Sequence, residues 1–488
     1  MLFRSTLGSN EEHQYRRLLK VLGLGHYLTD PRFEQLEERR KNNKTLSEEI
    51  QKVLLTKSAE EWEIIINDAG VPAARLLRGT LPACGGVVAY VIDAPELYRR
   101  EGGPYADAHQ RPWGDNHLRF ARLGWAAAEL ALGLDPAWAP ELVHAHDWHA
   151  GLAPACLKAV GAPVASVFTV HNLAYQGDFE ASAFAALGLP AVYFQPEGLE
   201  FWGRLNFMKA GLFFADRLST VSPGYAREVQ RPEQGMGLDG LLRARAGVLH
   251  GVLNGVDEAV WSPARDPLIP ARYDASRLAG KARCKAALQQ ALGLAEDPRA
   301  PLFCIVSRLT EQKGLHLVLQ TLPSLLARGA QFAMLGSGDA AMEAAFRDLA
   351  ARHAGAMAVR IGYDEAFAHQ LVAGSDVIMV PSRFEPCGLT QLYGLAYGTL
   401  PLVRRVGGLA DTVTDCALEH LADGSATGMV FEAFDAAALE AAQRRALALY
   451  ARPADWKAVQ RAAMARRHDW AVAAADYLQI YRLALGRS

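Results

Sequence analysis

The chain has 488 residues, too many for one ordinary hydrophobic core, so two or three domains are expected. Half of its residues are hydrophobic, 21% are charged and the formal net charge is −2, which is ordinary globular usage and gives no basic field for nucleic acid. Six cysteines lie far apart with no C-x-x-C pair, the start carries no apolar signal region, and no uncharged apolar run reaches the roughly 18 residues of a membrane span, so a cytoplasmic protein acting on a neutral or small anionic ligand is expected.

The first 78 residues are rich in Glu, Lys and Arg, poor in Gly, and built from helix-period segments. Helix starts are expected at Asn10 and at the Thr45/Glu48 and Ser58/Glu61 pairs, which have capping-box spacing, with a stop at Gly70. The L-G-H-Y-L-T-D-P-R-F run from Leu24 and the D-A-G-V-P-A-A-R tract from Asp68 resemble one segment of the class III CoA-transferase family. The catalytic aspartate of that family lies upstream of the matching region, so the resemblance implies a packing or linker module, ending near Arg78, without CoA chemistry.

After Gly86 short apolar strands alternate with amphipathic helices, the pattern of βα units on a parallel sheet. Strands are expected over 87–92, 142–144, 165–170 and 218–221, then over 302–306, 332–335, 358–361, 377–380 and 400–403. Helices such as 314–326 and 340–351 separate them. The expected fold class is therefore α/β, with two Rossmann-like domains over 79–248 and 249–466 and a final helix over 467–488 crossing back to the first. Open α/β sheets bind ligands at the carboxyl ends of their strands, so two facing sheets place the site in a cleft.

Two motifs follow predicted strands directly. In S-R-L-T-E-Q-K-G (307–314), Arg308 and Lys313 lie in a strand-to-helix loop, where a forked guanidinium and a compact ammonium reach a diphosphate. The alternative is a solvated pair of surface cations. In S-R-F-E-P-C-G-L-T-Q-L-Y-G (382–394), Gly388, Leu389 and Thr390 open the next helix and aim backbone N–H groups at a phosphate. Glu385, in the turn before them, either accepts sugar hydroxyls and opposes charge on the anomeric carbon or serves as a partner of the helix dipole. Cys387 has no histidine in its motif to activate it and reads as a packed small residue.

Together with V-H-A-H-D-W-H-A-G-L (143–152), T-V-H-N-L-A-Y-Q-G (169–177), V-L-N-G-V-D (252–257) and G-G-L-A-D-T-V (407–413), these motifs resemble the bacterial glycogen synthases and starch synthases in order and spacing, over roughly 400 residues from Val87. The resemblance implies a GT-B type glycosyltransferase that moves glucose from ADP-glucose to the non-reducing 4-OH of an α-1,4-glucan with retention, without metal or other cofactor. It implies that Arg308 and Lys313 hold the diphosphate and Glu385 stands beside the glucose, with Asp147 and His171 near the transferred sugar. Asn172, Trp148 and Tyr105 would then shape the glucose and acceptor sites, Tyr363 face the adenine, and Asn254 add a contact. Where related two-Rossmann transferases often carry a second Glu, eight positions after the first, this chain has Tyr393, as the synthase branch does.

The H-x-H-x-x-H string His144, His146 and His149 has an alternative reading as a metal site, but its spacing sends only some of the rings to one face. G-S-G-D (336–339) reads either as a tight βα turn or as a phosphate loop. The family opens with a strand running into a lysine-glycine-glycine loop, and no K-x-G-G occurs in this chain. The expectation is a first domain lacking its first strands behind a foreign helical segment, as in a chimeric reading frame. Two functions stay open: a synthase with impaired transfer, or an α-glucan and ADP-binding remnant.

Overall fold

The computed structural model describes residues 12–69, 75–109 and 111–487. Their chain forms two compact units, the first comprising the described residues up to Ser219 with Gly235–Leu249 and the chain from Ile480, the second Thr220–Gln234 and His250–Gln479.

The first unit begins with helices Glu12–Val21, Asn43–Leu54 and Ala59–Asp68, which bury Tyr15, Leu18, Leu19, Phe33, Trp62 and Ile66 in a core of their own. The Ser58/Glu61 capping box forms: Ser58 Oγ accepts from Glu61 N at 3.2 Å and Glu61 Oε2 from Ser58 N at 2.8 Å. The Thr45/Glu48 start does not, because Leu46 N already donates to Asn42 O at 3.2 Å and the helix is under way before Thr45. Asn10 and Gly70 lie outside the described residues.

Strands β1 (Arg75–Leu81) and β2 (Val87–Asp93) correct two expectations. The segment around Arg78 is strand rather than helix, and the strand over 87–92 opens no βα unit, because β1 and β2 pair antiparallel, Leu81 opposite Val87 and Arg75 opposite Asp93. Leu76, with Tyr90 and Ile92 of β2, packs on Ala126, Leu130 and Leu134, while Arg75 reaches Asp93 at 2.8 Å. Gly85 and Gly86, at φ +69° and +82°, close the hairpin.

The main sheet of this unit starts with β3 (Leu142–His146) and β4 (Ala165–Val170), which run parallel. A small antiparallel sheet of β5 (Asp178–Glu180), β6 (Glu200–Phe201) and β7 (Arg204–Asn206) follows, with β7 central. β8 (Arg217–Thr220) and β9 (Leu249–Gly251) complete the main sheet in the order β3-β4-β8-β9, so β3 is an edge strand, with Leu142, Val143 and His144 half-buried.

The second unit holds β10 (Leu302–Val306), β11 (Gln331–Gly336), β12 (Met357–Ile361), β13 (Val377–Val380), β14 (Leu400–Arg404) and β15 (Met429–Phe431) in one parallel sheet ordered β12-β11-β10-β13-β14-β15. Helices cover both faces, which is why these strands read as unbroken apolar runs: Phe303 and Ile305 enter one core, Leu302 and Cys304 the other. The strand order reverses between β10 and β13, and that switch point is where a doubly wound sheet opens a crevice for ligand. The last helix, Trp470–Ala484, passes into the first unit at Ile480. No helix among the described residues is long and apolar enough to cross a membrane.

Candidate functional site

In the second unit both phosphate-type motifs leave the sheet at the switch point, one from β10 and one from β13. Their loops touch: Arg383 N donates to Gln312 O at 2.8 Å, and a Cβ on Gly314, which sits at φ +70°, would lie 2.1 Å from Pro381 O. Only glycine fits there. This contact brings Lys313 Nζ to 2.7 Å from Glu385 Oε2, the two side chains 19% and 8% exposed. Ser382 Oγ donates to the same carboxylate oxygen at 2.8 Å. Arg308 is exposed at the start of the loop.

The G-G-L-A-D-T-V motif backs the Glu385 turn. Gly408 N donates to Glu385 O at 3.2 Å, and Cβ atoms on Gly407 and Gly408 would lie 2.1 Å from Glu385 O and 2.2 Å from Cys387 O. Burial pushes the Cys387 thiol up to about 12, while the backbone N–H of Asn254 hydrogen-bonds to it. The thiol therefore stays protonated and serves packing. Gly388, at φ +73°, turns the chain into helix Thr390–Tyr397, with Leu389 39% exposed at its start. A residual positive charge at this helix start faces the same loops as Lys313. Tyr363 stands past β12 with its ring 85% exposed and its hydroxyl 3.4 Å from Glu365 Oε2. G-S-G-D is a tight turn: Gly336 lies too close to Ser307 O for any Cβ, and Asp339 caps the helix Ala340–Arg352 through Met342 N.

One supporting group escaped the sequence reading. Trp261 lies between Tyr393 and His369, with centroid separations of 3.8 Å and 3.7 Å, and Asp266 accepts from Tyr397 OH at 2.5 Å and pairs with His369 Nδ1 at 2.7 Å. Tyr393 and Tyr397, four apart on one helix face, brace the helix that opens at Thr390, and that spacing was the available signal.

In the first unit the candidates gather at the carboxyl ends of β3 and β4. Asp147 has a left-handed φ of +54°, uncommon for a residue other than glycine, and its Oδ1 accepts from His171 N at 2.7 Å. His146 Nδ1 lies 3.0 Å from His171 Nε2. Asn172 follows in the same loop, its Oδ1 accepting from Ala174 N at 3.0 Å. Trp148 packs edge-on to Phe120 at 4.5 Å, and Gly177 leaves room for its ring, since a Cβ there would meet Trp148 Cε3 at 2.3 Å. Tyr105 joins this aromatic group, 6.1 Å from Trp148 and 5.2 Å from His149.

Within the histidine string the His144 and His146 rings lie side by side, their centroids 4.1 Å apart, though each has its own partner. His144 bridges Thr169 Oγ1 at 2.6 Å and Tyr481 OH at 2.8 Å, His146 meets His171, and His149 stacks beside Tyr105. Burial drives the His144 imidazole down to about 3, so it is neutral at pH 7. Among the described residues no group of three or more His, Cys, Asp or Glu is placed to hold a metal ion.

Comparison with known proteins adds independent findings. The family model for the starch synthase catalytic domain matches residues 20–244, reaching into the helical segment, and that for glycosyl transferases group 1 matches residues 289–462. The chain is 65% identical over 414 residues to a glycogen synthase of Leptothrix cholodnii, covering 84% of this chain and 85% of the relative. A glycogen synthase of Variovorax paradoxus is 63% identical over 410 residues, covering 83% of each. Among solved structures, the catalytic domain of starch synthase IV from Arabidopsis thaliana, bound to ADP and acarbose, aligns with a TM-score of 0.77 at 30% identity over 86% of both chains, a GT-B glycosyltransferase fold. Sucrose-phosphate synthase from Thermosynechococcus elongatus, at TM-score 0.51 and 19% identity, shares the fold.

Proposed function

Because the chain belongs to the glycogen and starch synthase family of glycosyltransferases, we propose that it transfers glucose from ADP-glucose to the non-reducing end of an α-1,4-glucan, with retention at the anomeric carbon. The observation that carries this reading is the Lys313–Glu385 pair at the switch point of the second unit's sheet, beside the N-terminus of helix Thr390–Tyr397. In the reaction the bond from glucose C1 to the diphosphate breaks, ADP leaves with the electron pair, and C1 bonds to O4 of the acceptor as its proton is released. Arg308, Lys313 and the backbone N–H groups at Leu389 and Thr390 stabilise the charge growing on ADP, and Glu385 opposes positive charge on the sugar. In the first unit Asp147, His171 and Asn172 contact the transferred glucose, while Tyr105 and Trp148 face the acceptor. Tyr363 offers its exposed ring to adenine, and Asn254 steadies the Glu385 turn through Cys387.

A second reading, binding of ADP and glucan without transfer, rests on the missing K-x-G-G sequence. Incubation with glycogen and ADP-glucose separates the two: glucan extension with matching ADP release supports transfer, and ADP binding without extension supports the second reading.

A further inference from the structure

Within the second unit one short helix is tied to the back of the Glu385 turn. The helix is Pro223–Glu228, capped by Ser222, whose Oγ accepts from Tyr225 N at 3.0 Å. The same hydroxyl donates to Pro386 O at 2.6 Å, one residue past Glu385. Gly224 N donates to Asp411 Oδ2 at 2.5 Å, and a Cβ on Gly224 would lie 2.6 Å from Gly407 O. At the far end of the helix Glu228 Oε1 accepts from Gly407 N at 2.8 Å.

Gly407 is the residue that presses on Glu385 O, and Gly408 N donates to that oxygen. Because Gly407 opens the helix Gly407–Thr412, its N–H has no acceptor within that helix, and the Glu228 carboxylate supplies one. The charged form of Glu228 is unfavourable where it stands. Its Oε2 is buried with no hydrogen-bond partner among the described residues. Burial raises the carboxyl above its usual range, aided by Asp411 and opposed by the Gly407 N–H, Arg404 and Arg231. An apolar side chain would serve packing as well. What a carboxylate adds is a strong acceptor fixed against Gly407.

We propose that Glu228 is a positioning residue for Glu385, a role that rests on the reading of Glu385 as the residue beside the donor glucose. By holding Gly407 it fixes the turn that aims the Glu385 carboxylate at the sugar. Removing the acceptor loosens this turn without forcing it aside. The diphosphate, held also by Arg308 and the helix start at Thr390 in the same reading, is then less affected than the glucose.

The test uses the full chain with Glu228→Ala, Glu228→Gln and Glu228→Asp, and measures glucan extension together with calorimetric titration of ADP and of ADP-glucose. Glu228→Ala is expected to lower kcat about tenfold, with KM for glycogen and Kd for ADP within about threefold of wild type. Glu228→Gln keeps an acceptor oxygen at the same reach and is expected to restore most of kcat, whereas Glu228→Asp, one methylene shorter, is not. Wild-type kcat in Glu228→Ala overturns the proposal, and so does a loss of ADP affinity as large as the loss of kcat, which would mark general loosening of the unit. If Glu228→Ala does not fold, Glu228→Asp set against Glu228→Gln decides by the same criteria. A wild type that extends no glucan removes the transfer reading, and binding then decides alone. ADP-glucose affinity that falls more than ADP affinity in the variant keeps the positioning role, and an unchanged ratio of the two overturns it.

Discussion

Lys313 is the cation whose loss should be felt most directly, because its ammonium lies 2.7 Å from Glu385 in the loop we propose as the diphosphate site. Hydrogen bonds between charged groups contribute about 1.5–3 kcal/mol, so Lys313→Ala is expected to weaken ADP binding roughly ten- to a hundredfold by titration calorimetry. Unchanged affinity would remove Lys313 from the phosphate site. His144 supplies a pH-dependent prediction. Its folded value is depressed to about 3 from an ordinary 6.5 by burial, so the unfolded chain binds the proton first, and stability is lost as pH falls from about 6.5 towards 3. Melting temperatures of wild type and His144→Asn are therefore expected to converge as pH falls through that window. A constant difference would show that His144 does not carry the effect.

At the scale of elements, the second unit's site is made by loops that approach closer than any side chain allows. Gly407 combines φ +42° with a Cβ position 2.1 Å from Glu385 O. Gly407→Ala must move the Glu385 turn and occupy a left-handed conformation, at a cost of about 1–3 kcal/mol for the backbone alone. A lowered melting temperature together with weakened ADP binding is expected, and wild-type values for both would contradict the role given to this contact. The helix that opens at Thr390 is held from behind by the Tyr393–Trp261–His369 stack. Tyr393 occupies the position where related transferases carry a second carboxylate, and here its ring is engaged in packing.

For the whole molecule, the helical segment over 12–69 has a separate core, and the diphosphate candidates Arg308, Lys313, Gly388, Leu389 and Thr390 all belong to the second unit. We propose the segment as a packing module. Deletion of residues 1–69 is expected to leave the ADP-induced rise in melting temperature intact, since a ligand stabilises the unit that binds it, by about 2.7 kcal/mol at a hundredfold excess over Kd. Loss of that shift would tie the segment to nucleotide binding.

The amino-acid sequence by itself determined the α/β class, most strands of both parallel sheets and the two phosphate-type motifs. Continuous apolar runs and strand-to-helix loops are local patterns, and a strand such as Leu302–Val306 has one reading once its flanks are seen. Tertiary structure decided what depends on partners distant in the chain. The β1–β2 hairpin was hidden because its pairing and its packing on Leu130 and Leu134 are set from outside the segment, and the helix start at Asn42 displaced Thr45 by a bond the residue pattern does not show. The same reason governs the site. Sequence named Lys313 and Glu385 separately, 72 residues apart, and only the reversal of strand order between β10 and β13 put their charged atoms in contact.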